Sequence, residues 1–182
     1  SSNATTTAAA SLPDTPSLAD FAPFSPIRVM RPNQNLEIAF DVRTRNPLYV
    51  LERLVVVDDN KPAAKNKSKR PNFYQDSQNL PAVYRSQNQH YHNSGYDRGH
   101  LAPAADFAHD ASAYRDTFSF SNISPQDGAL NKKTWARLEE WTRQVARQAW
   151  QKEQATTYVV PGPLWLPKRE IGPKAFQYAY TA

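Results

Sequence analysis

Residues 94–107 read "SGYDRGHLAPAADF". Asp97, Arg98, Gly99 and His100 bring an acid, a guanidinium, a flexible glycine and an imidazole into consecutive positions, and the run then stops in a proline turn. Packing an apolar core does not call for that combination, whereas proton transfer and phosphate binding do. Arg98 lies two positions before His100, so in extended chain the two side chains share a face. A neutral imidazole beside a fixed cation resists protonation, which keeps it available as a base near pH 7.

Around this stretch the chain has 182 residues, a length that favours one domain, or one domain with tails. Four Trp, nine Tyr and eight Phe supply the area for a core. Cysteine is absent, which excludes disulfides, thiolate metal sites and a cysteine nucleophile. No run approaches the roughly 18 apolar residues of a membrane helix, so no membrane span is expected. Lys and Arg number 22 against 17 Asp and Glu, a formal net charge of +5. Such a balance suits a polyanionic partner and suits a merely soluble basic protein equally well.

Residues 1–26 are mostly Ser, Thr, Ala and Pro, and read as a disordered arm or linker ahead of a domain over 27–182. No Lys or Arg precedes Arg28, so an arginine-rich targeting segment is not part of this sequence. Leu36 to Asp58 is rich in β-branched and aromatic residues and predicts two strands joined by a turn at Asn46-Pro47. Residues 61–70, "KPAAKNKSKR", carry five basic side chains and no acid, and read as a solvated loop or as a phosphate-attracting one. Thr117 to Gln126 predicts a strand ending in a Ser-Pro turn. Asn131 to Glu153 predicts the longest helix, with Asn131 as its N-cap and Trp135, Leu138, Val145 and Ala149 near helical spacing, Trp141 and Trp150 widening the stripe. A further strand follows in "TTYVVPGPLWLP", closed by Pro161 to Pro163. Strands before and after a long helix predict an α+β domain, a mixed and mostly antiparallel sheet backed by helices.

On that helix Asn131, Glu139 and Arg143 border one face, because positions eight and four apart differ by about 80° and 40° around the axis. An amide oxygen, a carboxylate and a guanidinium there suit a hydrated cation beside a phosphate. Taken alone, an N-cap and an i,i+4 Glu139–Arg143 ion pair account for the same residues more simply. His90 and His92 would share a face on a strand, but without an evident carboxylate at ligand spacing they read as polar loop residues. Phosphodiester cleavage needs a base for the attacking water, a cation for the developing charge and a guanidinium on the phosphate. His100, Mg²⁺ at Asn131, and Arg98 with Arg143 would fill those roles, since Mg²⁺ keeps several waters and needs few protein atoms.

With "DRGH" at 97–100, "SNISPQ" at 121–126 and "LNKKTWARLE" at 130–139, the chain resembles the DNA/RNA non-specific endonucleases, which are ββα-metal nucleases. The flanking sequence is most similar to their mitochondrial endonuclease G branch, over about Leu36 to Pro167. The resemblance implies His100 as general base, Asn131 as the direct ligand of one Mg²⁺ (Mn²⁺ substituting), and Glu139 holding its waters. Arg98 and Arg143 would bind the scissile phosphate, Lys69 and Arg70 would add nucleic-acid contacts, and Asp97 and Gln126 would support the motif. It further implies cleavage of DNA and RNA to 5′-phosphate ends, a homodimer, and a mitochondrial location, or an exported one in bacteria. The alternative is a non-catalytic nucleic-acid-binding or structural subunit on the same fold. The family's domain continues past "GPLWLP", so the expectation is a chain lacking the C-terminal part, with a second polypeptide as one way to complete it.

Overall fold

The computed structural model describes residues 26–56 and 70–164. The expected N-terminal arm, Lys69, nearly all of the basic loop and the chain after Leu164 lie outside those residues.

Three strands follow one another: β1 (Ile27–Asn33), β2 (Leu36–Asp41) and β3 (Asn46–Leu54). They form an antiparallel meander, with Ile38 opposite Val50 and Met30 opposite Ile38. The turn between β2 and β3 falls at residues 42–45, and Asn46 and Pro47 are the first residues of β3 rather than the break the sequence suggested. Arg45 takes the left-handed conformation that reverses the chain there (φ 54°). Pro47 is tolerated at the start of the strand, where a missing N–H costs little. The fourth strand, β6 (Thr157–Val159), adds antiparallel to β3, so the sheet order is β1-β2-β3-β6.

Period-two alternation turns Val50, Glu52 and Leu54 of β3 inward. With Ile38 and Phe40 of β2 they face a layer that includes Leu80, Leu101, Phe107 and Ala113, and the apolar members of this set form the core. That layer contains two short helices, α1 (Asn88–Tyr91) and α2 (Ala111–Asp116), and a separate two-stranded antiparallel sheet of β4 (Asp97–His100) with β5 (Ile123–Gln126). Asp110 caps α2 by accepting from Ser112 N and Ala113 N at 2.8 and 3.0 Å.

The predicted strand over 117–126 is only partly strand. Phe120–Asn122 form a 3₁₀ turn, because Asn122 is fully buried and spends its side chain on backbone groups. Its amide donates to Ala102 O and Thr117 O and accepts from Ala102 N, all within 3.0 Å. Each such bond contributes on the order of 1 kcal/mol net, and together they hold the chain after His100 beside β5.

The long helix α3 (Ala136–Glu153) is entered through a π-helical turn at Leu130–Trp135. Asn131 is inside that turn and is not the N-cap. Asp127 does the capping, its carboxylate accepting from Ala129 N and Leu130 N at 2.8 and 3.0 Å. Gln154 ends α3 in the left-handed conformation, its N–H returning to Trp150 O. The predicted apolar stripe is largely exposed, Trp141 at 60 % and Leu138 at 46 %; Ala146 is the helix's one fully buried residue. The inward side instead carries half-buried Glu139 and Arg143. The domain is α+β as expected, and among the described residues no helix is long and apolar enough to cross a membrane.

Candidate active site

β4, β5 and the helical segment from Leu130 make a ββα unit that carries most of the residues singled out by the sequence. Two hydrogen bonds tie the helix to the strand. The Asn131 side-chain amide donates to Asp97 Oδ2 at 3.1 Å, and the Trp135 indole N–H donates to the His100 carbonyl at 3.3 Å. The strand's two ends are thereby bound to residues four apart, about one helical turn. Lys132 also pairs with Asp97 at 3.1 Å, and these contacts hold the Asp97 carboxyl below its usual range. Because Asn131 donates through its nitrogen, its oxygen is left to meet another group.

Gln126 stands opposite Asp97 in the β4–β5 register. Its side chain covers Gly99 so closely that a Cβ there would meet Gln126 Oε1 at 2.2 Å. Only a glycine fits between Arg98 and His100.

His100 and Arg98 do face the same way, and both meet Phe73. The Arg98 guanidinium lies over the Phe73 ring at 4.7 Å and donates to Asn88 Oδ1 at 2.5 Å. The His100 ring packs against Phe73 at 5.4 Å and edge-on to Phe118 at 5.0 Å. Burial lowers the imidazole to about 4, with the Arg70 charge adding to the effect. The cation that matters is therefore Arg70 and not the Arg98 expected from spacing, and desolvation outweighs both. Arg70 reaches this site across 30 residues of sequence by stacking its guanidinium 5.4 Å from the Phe118 ring. His100 Nε2 is enclosed and has no hydrogen-bond partner, so its lone pair is not committed within the protein.

Glu139 and Arg143 do not form the i,i+4 pair. Arg143 instead donates to Asp106 Oδ1 at 2.8 Å and to Glu140 at 2.9 Å, its charge shared by two carboxylates. Burial raises the Glu139 carboxyl to about 7; the Arg143 charge opposes that rise and Asp106 adds to it.

Asp106 and Glu52 are the carboxylates that sequence reasoning missed. Asp106 is nearly enclosed, and burial raises it despite Arg143. Glu52 is 2 % exposed with Oε2 unpartnered, and burial pushes it up to about 9, Asp106 and Glu139 adding to the effect. The parity of β3 carried the signal: Val50 and Leu54 point inward, so Glu52 must too. His90 and His92 do not share a strand face; His90 Nδ1 accepts from Gln87 N at the start of α1.

The sequence matches the model of the family described as DNA/RNA non-specific endonuclease over residues 20–180. The chain belongs to the DNA/RNA non-specific endonuclease family. It is 33% identical over 156 residues to the mitochondrial nuclease of Saccharomyces cerevisiae, covering 85% of this chain and 45% of that protein. It is 32% identical over 147 residues to the mitochondrial endonuclease G of Homo sapiens, covering 81% of this chain and 46% of that protein. Among solved structures, a crystal structure of an EndoG/EndoGI complex matches with a TM-score of 0.59 at 32% identity, covering 81% of this chain and 58% of that one. The chain thus spans about half the length of the curated relatives it matches. Family membership accounts for finding the "DRGH" strand, the "SNISPQ" strand and the helix after Asn131 in one ββα unit.

Proposed function

We propose that this chain carries the active centre of a metal-dependent, sugar-non-specific endonuclease, which hydrolyses phosphodiester bonds in DNA and RNA and leaves 5′-phosphate ends. The observation that supports this most is the β4 strand itself. It holds an uncharged imidazole at His100 beside Arg98, and it is joined through Asp97 to the Asn131 amide.

The residues fit a hydrated Mg²⁺ better than a desolvated ion. Among the described residues no group of three or more His, Asp or Glu side chains is arranged to hold a metal, whereas Mg²⁺ retains most of its waters and takes few protein oxygens. Asn131 would supply the one direct oxygen, and Glu139, half-buried on the same helix, would accept hydrogen bonds from the ion's waters. When bound, the ion would neutralise charge on the phosphate and the departing oxygen. His100 takes a proton from the attacking water, whose oxygen bonds to phosphorus as the bond from phosphorus to the 3′ oxygen breaks. That oxygen leaves as a hydroxyl once protonated, and the phosphate stays on the 5′ side. Arg98 holds a non-bridging oxygen, and Arg70, against the same Phe73 and Phe118 rings as His100, adds a further cationic contact. Arg143 would strengthen the phosphate site from its seat on Asp106. Recognition built on phosphate contacts carries little sequence or sugar information, in keeping with a broad substrate range.

The unit bearing this activity begins near Ile27. By likeness to relatives named mitochondrial, the protein acts in mitochondria; that it does so as a homodimer is part of the same proposal. One observation favours the non-catalytic, nucleic-acid-binding reading: His100 Nε2 is enclosed, so a substrate water reaches it only when the surrounding side chains move. The test is degradation of plasmid DNA and of RNA by the full-length protein in Mg²⁺. EDTA, His100→Ala or Asn131→Ala should abolish it, and Arg98→Ala should weaken it. Undiminished activity in His100→Ala removes the base; salt-dependent binding without cleavage supports the other reading.

A further inference from the structure

We propose that the groove between α1 and the Tyr96–Arg98 segment is a nucleoside subsite, which takes the base and sugar next to the phosphate held at Arg98. Its position beside a phosphate rests on the nuclease reading; its chemistry does not.

The groove has a volume of about 540 Å³, within the ~300–1,000 Å³ usual for small-molecule sites. Charge is confined to one end, where Asp97 and Arg98 begin β4. Both are already engaged, Asp97 by Lys132 and Asn131, Arg98 by Asn88. The rest of the lining holds no carboxylate, Lys or Arg: the amides of Gln89 and Asn93, the imidazole of His92 and the rings of Tyr91 and Tyr96. A phosphate group suits the Arg98 end, and an uncharged heterocycle with its sugar suits the remainder. Side-chain amides offer a donor and an acceptor together, so they can meet any base edge or a sugar hydroxyl without selecting strongly among them. Aromatic faces add stacking that is likewise tolerant of base identity.

The walls are set before any ligand arrives. The Tyr91 ring stacks on Phe120 at 5.7 Å, and its hydroxyl donates to Ile123 O. Between the walls Gly95 turns the chain in the left-handed region (φ 82°), and Ser94 Oγ donates to Tyr91 O while accepting from Tyr96 N. Gln87 and His90 lock α1 through reciprocal caps. A preformed wall lowers the ordering cost of binding. Gln89 and His92 are exposed at the rim, where substitution leaves the core intact.

The experiment compares two probes in EDTA, so that no cleavage is needed: the trinucleotide dTpTpT and the same sugar–phosphate chain with abasic residues. Wild-type full-length protein should bind dTpTpT about tenfold more tightly, the scale of one stacked base. The double variant Gln89→Ala with His92→Ala should lose most of that preference, because the base then has neither the Gln89 amide for its edge nor the His92 ring to lie on, while unfolding at the wild-type temperature. Equal affinity of wild type for the two probes overturns the subsite, as does a base preference that survives the double substitution. A base preference lost in the double variant, in a protein that cleaves nothing, would sink the nuclease reading and leave the subsite standing.

Discussion

Asp97 at the start of β4 accepts a hydrogen bond from the Asn131 side chain at 3.1 Å, across 34 positions of sequence. This contact aims the Asn131 amide, so the strand that carries His100 also orients the proposed metal ligand. Supports of this kind are worth ten- to hundredfold in metal affinity. Asp97→Ala should therefore raise the Mg²⁺ concentration for half-maximal cleavage by about ten- to hundredfold. A Mg²⁺ titration of plasmid cleavage reads this directly, and an unchanged midpoint shows that Asn131 needs no such support.

Gly99 leaves room for nothing larger. An added Cβ would come within 2.6 Å of Gln126 Cβ as well as 2.2 Å of its Oε1, so Gly99→Ala must push β4 away from β5. Overpacking of this sort costs about 1–3 kcal/mol. Thermal unfolding should show the loss, and Gln126→Gly added to Gly99→Ala should recover much of it by removing all three clashing atoms, Oε1, Cβ and Cδ.

The Asp106–Arg143 pair separates a structural role from a phosphate-binding one. Asp106 is nearly enclosed, so Arg143→Ala leaves a buried carboxylate without its cation, a loss of about 3–5 kcal/mol. Urea unfolding of Arg143→Ala and of Arg143→Ala with Asp106→Asn distinguishes the two. If the second change restores stability without restoring cleavage, Arg143 acts on the phosphate; if both return together, its part is to seat the helix.

Glu52 predicts a pH dependence of stability. Its carboxyl titrates near 9 in the folded chain against 4.5 for the exposed group, so the folded state binds the extra proton between those values. Stability from this group is full below the lower value and falls as pH rises toward the upper one, by up to about 1.4 kcal/mol per pH unit. Glu52→Gln keeps the shape and removes the titration. Its advantage over wild type in urea should grow between about pH 5 and pH 8; a constant difference would mean that Glu52 is not held protonated.

Much of the architecture was legible because it is written in short-range periodicity. β-branched alternation marked β2 and β3, the apolar spacing marked α3, and Pro161 to Pro163 marked the end of β6. Three motifs in order were enough to place the chain in its family. Local reading failed where a side chain had a choice of partner. Asn131 has the chemistry of an N-cap, but Asp127 reaches the free N–H groups first and Asp97 takes the Asn131 amide. Glu139 has the spacing to pair with Arg143, but a buried carboxylate 37 positions away competes better, because in a desolvated place an ion pair is less screened.

By itself the sequence determined the family, the strands β2, β3 and β6 with the long helix before the last of them, and which residues could do acid–base and phosphate chemistry, since these depend on residue type and on neighbours a few positions away; β1, β4 and the two short helices were not read from it. Only the tertiary structure decided the protonation of His100 and Glu52, the engagement of Arg143 and the arrival of Arg70 at His100. Those outcomes depend on how much water each group loses and on which charge from a distant segment lies beside it, and neither quantity is local.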